Sequence, residues 1–227
     1  MLVRDWMSTH IVTIDVNAKI QDVINVLMDH HVNMLPVMDG DRLIGIVTDR
    51  DVKHASPSNA VLMDFQNIMY HVARLDVSSI MSKNPITVPP DLTIEETAEI
   101  LLTHNISGVP VVDDTGHILG IITKDDIFSA LVSLSGLSKR GVLFGFRLED
   151  KPGSIKEATD IIRKHGGRLV SIVTSYENAP EGYRNVYVRA FDIDRGDLPT
   201  LEKELQAAST LLYTVDHREN RRTFIKQ

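Results

Sequence analysis

The heptapeptide GIVTDRD at residues 45–51 returns as GIITKDD at residues 120–126. A chain that writes one strand-to-helix passage twice is constrained to a duplicated architecture, because both copies must bury the same faces. Setting Met7 against Met81, with one gap near Gly40, aligns residues 7–52 with 81–127. Identities over these 46 positions number thirteen: Met7, Ser8, Thr13, Ile20, Leu27, His30, Pro36, Val37, Asp39, Gly45, Ile46, Thr48 and Asp51, each with its counterpart. Unrelated stretches of average composition would share only about 3. The repeat therefore decides the architecture before any single motif is read.

Both copies read alike in coarse secondary structure. IVTI (11–14) and ITV (86–88) are β-branched and apolar, as short strands are. In KIQDVINVLMDHH, Ile20, Val23, Ile24, Leu27 and Met28 recur at helical spacing, and Ile94, Ala98, Leu101 and Leu102 do so in TIEETAEILLTHN. MLPVM and GVPVV follow as strands, and the turns DGD and DDTG lead into LIGIV and ILGII as hairpins. A helix then opens at TDRDV and at TKDDI. Each copy is thus a βαββα unit of about 50 residues, too small to bury much surface alone. Packing sheet against sheet with its twin would complete one core. The expected divisions are residues 1–54 and 77–135 for the copies, with a connector at 55–76. The connector's Ser/Pro/Asn start and its Val61, Leu62, Phe65, Ile68 and Met69 suit an ordered helix.

Beyond a Ser/Gly-rich joint, SLSGLSKRG (133–141), the pattern changes. GVLFGFRLED is a strand, SIKEATDIIRKHGG an amphipathic helix through Ile155, Ala158, Ile161 and Ile162, and RLVSIVTSY and NVYVRAFDI are strands. LPTLEKELQAA is a helix with Pro199 in its first turn, and LLYTVDHRE a final strand. The order β-α-β-β-α-β over residues 141–227 is the ferredoxin-like split arrangement, giving an α+β protein throughout.

Charge follows the same division. Residues 1–140 hold 10 Lys and Arg against 18 Asp and Glu, and residues 141–227 hold 14 against 13. The net charge of −7 disfavours nucleic-acid binding through bulk electrostatics. The absence of cysteine excludes disulfides, thiolate nucleophiles and cysteine-bearing zinc sites. No signal-peptide core or 18-residue apolar run is present, so a cytoplasmic protein away from membranes is expected.

The repeated motif carries two readings. Thr48-x-x-Asp51 and Thr123-x-x-Asp126 each close a strand and open a helix, which is the spacing of a capping box. The same turn suits a nucleotide: backbone N–H groups attract phosphate oxygens, and a carboxylate can accept hydrogen bonds from both vicinal hydroxyls of a ribose. Gly45 and Gly120 would admit a flat base or a backbone at close range. Arg50, Lys53 and His54 surround the first turn and Lys124 and Asp125 the second, so phosphate charge is better countered at the first.

MLPVMDGDRLIGIVTDRD and GVPVVDDTGHILGIITKDD, with the upstream MSTHIVTI and MSKNPITV, resemble cystathionine β-synthase (CBS) repeats, and their tandem resembles a Bateman module. The resemblance implies two clefts between the copies that hold an adenine nucleotide (AMP, ADP or ATP), with S-adenosylmethionine as the alternative ligand. It further implies that Asp51 and Thr48, with Arg50, anchor one cleft facing Pro85, Ile106, Ser107 and Gly108. Asp126 and Thr123, with Lys124, would anchor the other, facing Ile11, Val32, Asn33 and Met34.

RLEDKPGSIKEATDIIRKHGGRLVSIVTSY resembles an ACT domain, which implies a small-molecule effector loop at Asp150, Pro152, Gly153, Ser154 and Arg168. Arg168 stands where the family commonly has Asn. By itself Asp-x-Pro-Gly is a turn. The order CBS–CBS–ACT resembles the acetoin-utilisation protein B type of bacteria and implies a regulatory homodimer, not an enzyme, acting on an unnamed target protein in carbon catabolism. A non-catalytic subunit of an enzyme complex and a structural scaffold remain the alternatives. His30-His31 and its counterpart His104 read as solvated helix ends rather than metal ligands, and RENRR (218–222) as a solvated basic patch. The sequon Asn105-Ile106-Ser107 has no role without secretion.

Overall fold

The computed structural model describes residues 1–55 and 74–225, so the helix expected through Val61 and Met69 lies outside the described residues. The chain divides into two compact units, residues 1–128 and 129–227.

In the first unit, copy one runs β1 (Ile14–Asp15), α1 (Ile20–Asp29), β2 (Met34–Asp39), β3 (Arg42–Thr48) and α2 (Asp49–Ala55). Copy two runs β4 (Ser82–Lys83), α3 (Ile94–Thr103), β5 (Gly108–Val112), β6 (Ile118–Thr123) and α4 (Lys124–Ser135). The hairpins form as expected, β2 on β3 and β5 on β6, both antiparallel. Gly40 and Gly116 take the left-handed φ of +57° and +85° that the two turns need. The apolar period of α1 buries Ile20, Val23 and Leu27, and that of α3 buries Ile94, Thr97 and Leu101. Met28 and Leu102, expected on those faces, are instead 68% and 73% exposed. They hold equivalent positions, so the exposure is itself duplicated.

The leading strands are shorter than expected. Only Ile14–Asp15 pairs with β2, in parallel, and in copy two only Val88 bridges Val111. The preceding segments pair across the copies instead. Ser82–Lys83 adds to β3 of copy one, and Ser8 exchanges both backbone hydrogen bonds with Ile121 of copy two (2.9 and 3.0 Å). The crossing is reciprocal further upstream: Val3 N–H donates to Leu92 O and Val77 N–H to Ala18 O, both at 2.9 Å. Each copy thus satisfies its backbone groups only with its twin present.

The second unit begins inside α4, ahead of the Ser/Gly-rich joint, because the helix end is tied to the C-terminal sheet. Ser135 O accepts from Ser171 Oγ at 2.9 Å and from Arg189 Nε at 2.6 Å. The unit runs β7 (Val142–Glu149), α5 (Ser154–Lys164), β8 (Arg168–Ser175), β9 (Tyr183–Phe191), α6 (Leu198–Ala208), β10 (Thr210–Asp216) and β11 (Arg221–Phe224). Its antiparallel sheet has the order β11-β10-β7-β9-β8. Alternation along β7 and β9 turns Val142, Phe144, Phe146, Val186 and Val188 onto Ala158 and Ile162 of α5 and Leu198, Leu201 and Leu205 of α6. Strand β11 was not expected. Arg221 and Arg222 of the basic patch pair with Asp216 and Val215, their side chains exposed as anticipated. A polar edge strand carries too little apolar alternation to be read from sequence.

Candidate functional site

Both Thr-x-x-Asp motifs close as capping boxes. Thr48 N–H and Thr48 Oγ1 donate to Asp51 Oδ2 at 2.8 and 2.7 Å, and Asp51 N–H donates to Thr48 Oγ1 at 3.3 Å. Thr123 and Asp126 repeat the pattern at 2.7, 2.6 and 3.3 Å. Thr93 and Glu96 at the start of α3 make the same three bonds. Cap geometry alone therefore does not mark a ligand site.

Surroundings separate the motifs. Thr48, Arg50 and Asp51 open onto a cleft of about 560 Å³, within the range of small-molecule sites. Copy two contributes Pro85, Ile86, Ile106, Ser107 and Gly108 to its lining. Ile46 supplies apolar surface, and Lys83, Asn84 and Asn105 supply polar groups. The cap uses only one oxygen of Asp51, and no described residue donates a hydrogen bond to Oδ1. An oxygen free at a cleft wall is able to accept hydroxyl hydrogen bonds while the cap stays intact.

At this cleft two placements differ from expectation, that of Asn33, Met34 and Lys124 and that of Lys53. Asn33, Met34 and Lys124, assigned to the Thr123–Asp126 side, line the Thr48–Asp51 cleft. The cause is the near-symmetry of the copies: Lys124 N–H donates to Ser107 O at 2.9 Å just as Asp49 N–H donates to Asn33 O at 3.2 Å. Met34 Cε lies only 2.7 Å from where a Gly108 Cβ would be, which places both residues where the copies meet. Lys53, expected to counter phosphate, turns to Asp49 (2.7 Å) and does not line the cleft. Asp49 is held below the usual carboxylate range, chiefly by that Lys53 bond. Ile11 and Val32 hold in copy one the positions of Pro85 and Ile106. Both are half-buried and Val32 packs on the core of its own copy; neither was assigned to this cleft and neither lines it. At Gly45 and Gly120, of the two expected neighbours, it is a backbone that comes close: an added Cβ would meet Ser82 O at 3.1 Å and Ser8 O at 2.7 Å, so the close approach serves the crossing strands.

In the second unit, Gly153 (φ +93°) sits at the N-terminal end of α5. Asp150 lies 3.5 Å from Arg184 Nη1, and Ser154 Oγ accepts from Arg184 Nη2 at 3.3 Å while donating to Lys151 O. Pro152 is exposed beside them. Arg168 is not part of this loop. An 11-residue helix, about 16 Å long, carries it to the opposite end of the sheet. There its guanidinium stands 5.0 Å from the Phe191 ring centroid and 3.7 Å from Asp192.

Sequence reading also missed His165, because its partners lie far along the chain. Its Nδ1 meets Asp197 Oδ2 at 2.5 Å and its Nε2 meets Glu204 Oε2 at 2.9 Å, with 10% of the side chain exposed. Glu204 first and Asp197 second raise the imidazole pKa above its ordinary value of 6.5. The raised value means the clamp's stabilisation is complete below pH 6.5 and is lost as pH rises through the folded-state pKa. We expect the wild-type melting temperature of this unit to fall from pH 6 to pH 9 more steeply than that of His165→Gln. Parallel profiles in thermal melts would remove the clamp from the pH response. His30, His31 and His104 are exposed at helix ends, His31 and Asn105 with left-handed φ of +52°. Among the described residues no group of three or more His, Asp and Glu could hold a metal ion, and no helix is long and apolar enough to cross a membrane.

The CBS domain family model matches residues 3–58 and 77–133. The chain is 30% identical over 135 residues to a CBS domain-containing protein of Dictyostelium discoideum, covering 59% of this chain and 93% of that one. It is also 30% identical over 118 residues to inosine-5'-monophosphate dehydrogenase of Korarchaeum cryptofilum, covering 52% of this chain and only 22% of the enzyme. Among solved structures, CBSX2 of Arabidopsis thaliana in complex with AMP is similar at 25% identity and a TM-score of 0.50, covering 58% of this chain and 96% of that one. One family model matching both copies, together with nearly the whole of a slime-mould relative, places the chain in the CBS-domain family, with its two domains in tandem.

Proposed function

We propose that this protein is a ligand-sensing regulator that binds an adenine nucleotide in the Thr48–Asp51 cleft. The observation that carries the reading is a cleft walled by both copies, into which Asp51 keeps one carboxylate oxygen unspent. That oxygen suits ribose hydroxyls, and Ile46, Pro85, Ile86 and Ile106 suit a base. The AMP complex of CBSX2 supports the ligand class. Regulation would follow if the nucleotide binds one arrangement of the copies better than another. In this reading the C-terminal unit is a ferredoxin-like ACT domain that dimerises or takes a second effector at Asp150–Ser154. The target is then a separate protein, in keeping with the acetoin-utilisation type. Exposed Met28, Leu102 and Phe128 suit pairing with a second copy of the chain.

The test is a thermal-shift screen of AMP, ADP, ATP, S-adenosylmethionine and free amino acids. A bound ligand at 100 times its Kd stabilises by about 2.7 kcal/mol, so melting should rise with nucleotide concentration. Asp51→Ala should abolish the rise. Thr93→Ala, which removes a similar cap away from the cleft at a cost of about 1 kcal/mol, should keep it. A nucleotide response surviving in Asp51→Ala, or absent in the wild type, overturns the reading.

A further inference from the structure

We infer that the Thr48–Asp51 cleft selects nucleoside di- and triphosphates over monophosphates, through three cations that make no close ion pair among the described residues. The inference rests on the nucleotide reading above and adds the phosphate number.

Arg50, Lys83 and Lys124 all line this cleft. Among the described residues, none of the three has a carboxylate oxygen within 4.0 Å. Three cations without a close ion pair in one concavity are costly to hold together unless an anion completes them. They come from three places in the chain. Arg50 belongs to α2, Lys83 is delivered by the crossing strand β4 that pairs with Gly45, and Lys124 is fixed where its N–H meets Ser107 O. The two acids at the cleft are already engaged, Asp49 with Lys53 and Asp51 with its cap. A monophosphate would leave part of this positive charge uncompensated, whereas a polyphosphate chain would meet it. The surrounding part of the chain is acidic, with 18 Asp and Glu against 10 Lys and Arg in residues 1–140, so long-range attraction does not supply the selectivity.

The other copy is not built this way. In the repeat register Thr9 stands where copy two has Lys83, and Asp125 stands where copy one has Arg50. The two cations peculiar to the Thr48–Asp51 cleft thus have a neutral residue and an acid as counterparts. Lys124 has an acid, Asp49, as its counterpart in copy one.

The experiment is titration calorimetry of the full chain with AMP, ADP and ATP in EDTA, at low salt and again at high salt. The wild type should bind ATP about tenfold or more tightly than AMP, with a ratio that shrinks at high salt. Arg50→Gln, Lys83→Gln and Lys124→Gln should each weaken ATP several-fold and AMP less than about twofold. The triple variant should bring the ATP-to-AMP ratio close to one. Thr93→Ala, which removes a cap away from the cleft, should leave the ratio unchanged. If AMP binds as tightly as ATP and Asp51→Ala removes both, the nucleotide reading stands and the polyphosphate inference falls. An ATP preference that survives in the triple variant overturns the inference likewise. If no nucleotide binds the wild type, both fall.

Discussion

Replacing Asp216 by alanine is expected to destabilise the C-terminal unit by about 3–5 kcal/mol. Asp216 is 2% exposed and takes a two-pronged bond from Arg195, Nε to Oδ2 at 2.8 Å and Nη2 to Oδ1 at 3.0 Å. Its Oδ1 also accepts the N–H groups of Arg218 (2.9 Å) and Glu219 (3.2 Å), and Arg195 Nη1 closes the set on Ile193 O at 2.7 Å. Burial pushes this carboxyl pKa up, but the Arg195 bonds and the two backbone donors outweigh it and hold it below the ordinary value of 3.8. The contribution is therefore present above that value and lost as pH falls through the depressed one. Removing the carboxylate strands a guanidinium that is three-quarters covered and frees the turn leading into β11. Denaturant unfolding of the full chain, followed by tyrosine signals for this unit, measures the loss. The double variant Arg195→Met with Asp216→Leu should recover much of it, because apolar packing can replace a buried pair. A change below about 0.5 kcal/mol in Asp216→Ala would demote the pair to an ordinary surface contact.

What could be read in the sequence was what repeats locally. Apolar period marked α1, α3, α5 and α6, and the turns with Gly40 and Gly116 marked both hairpins, because helix and hairpin depend on residues a few places apart. Pairing between distant segments leaves no such trace. Ser8 meets Ile121 across more than a hundred residues, and the letters MS at 7–8 and 81–82 announce a repeat without saying which sheet receives it. The site suffered most from this blindness. Lys53 and His54 stood next to the motif and were natural partners for phosphate, yet a helix places residue i+4 over residue i, so Lys53 falls to Asp49. Lys83 reaches the cleft only because β4 crosses between copies, and Lys124 only because copy two meets copy one there, Gly108 against Met34. Thr48 and Asp51 were visible as a pair, but the cleft beside them that separates an anchor from a plain cap is a matter of coordinates. The same limit hid the His165 clamp, whose partners stand 32 and 39 residues away.

Gly120→Ala should cost about 2–3 kcal/mol, and Gly45→Ala about 1 kcal/mol, although the two glycines occupy the same place in the repeat. Identity of position would suggest identity of effect, but what faces the missing Cβ differs. At Gly120 the nearest atom is Ser8 O at 2.7 Å, a backbone oxygen already bonded to Ile121 N–H at 3.0 Å. It cannot retreat without breaking the bridge that joins the N-terminal segment to copy two. At Gly45 the nearest atom is Met81 Sδ at 2.6 Å, and the backbone oxygen of Ser82 stands back at 3.1 Å. A methionine side chain can change rotamer, so most of the strain at Gly45 can be relieved. Urea unfolding of the full chain orders the variants, and hydrogen exchange at the Ser8 and Ile121 amides locates the damage. Faster exchange at those amides in Gly120→Ala, with β3 and β4 still protected, is the expected pattern. Equal losses in the two variants would mean that the crossing segments yield as whole bodies. The glycines of the repeated heptapeptide would then be spacers between strands that slide, rather than the fixed points on which each copy receives the other.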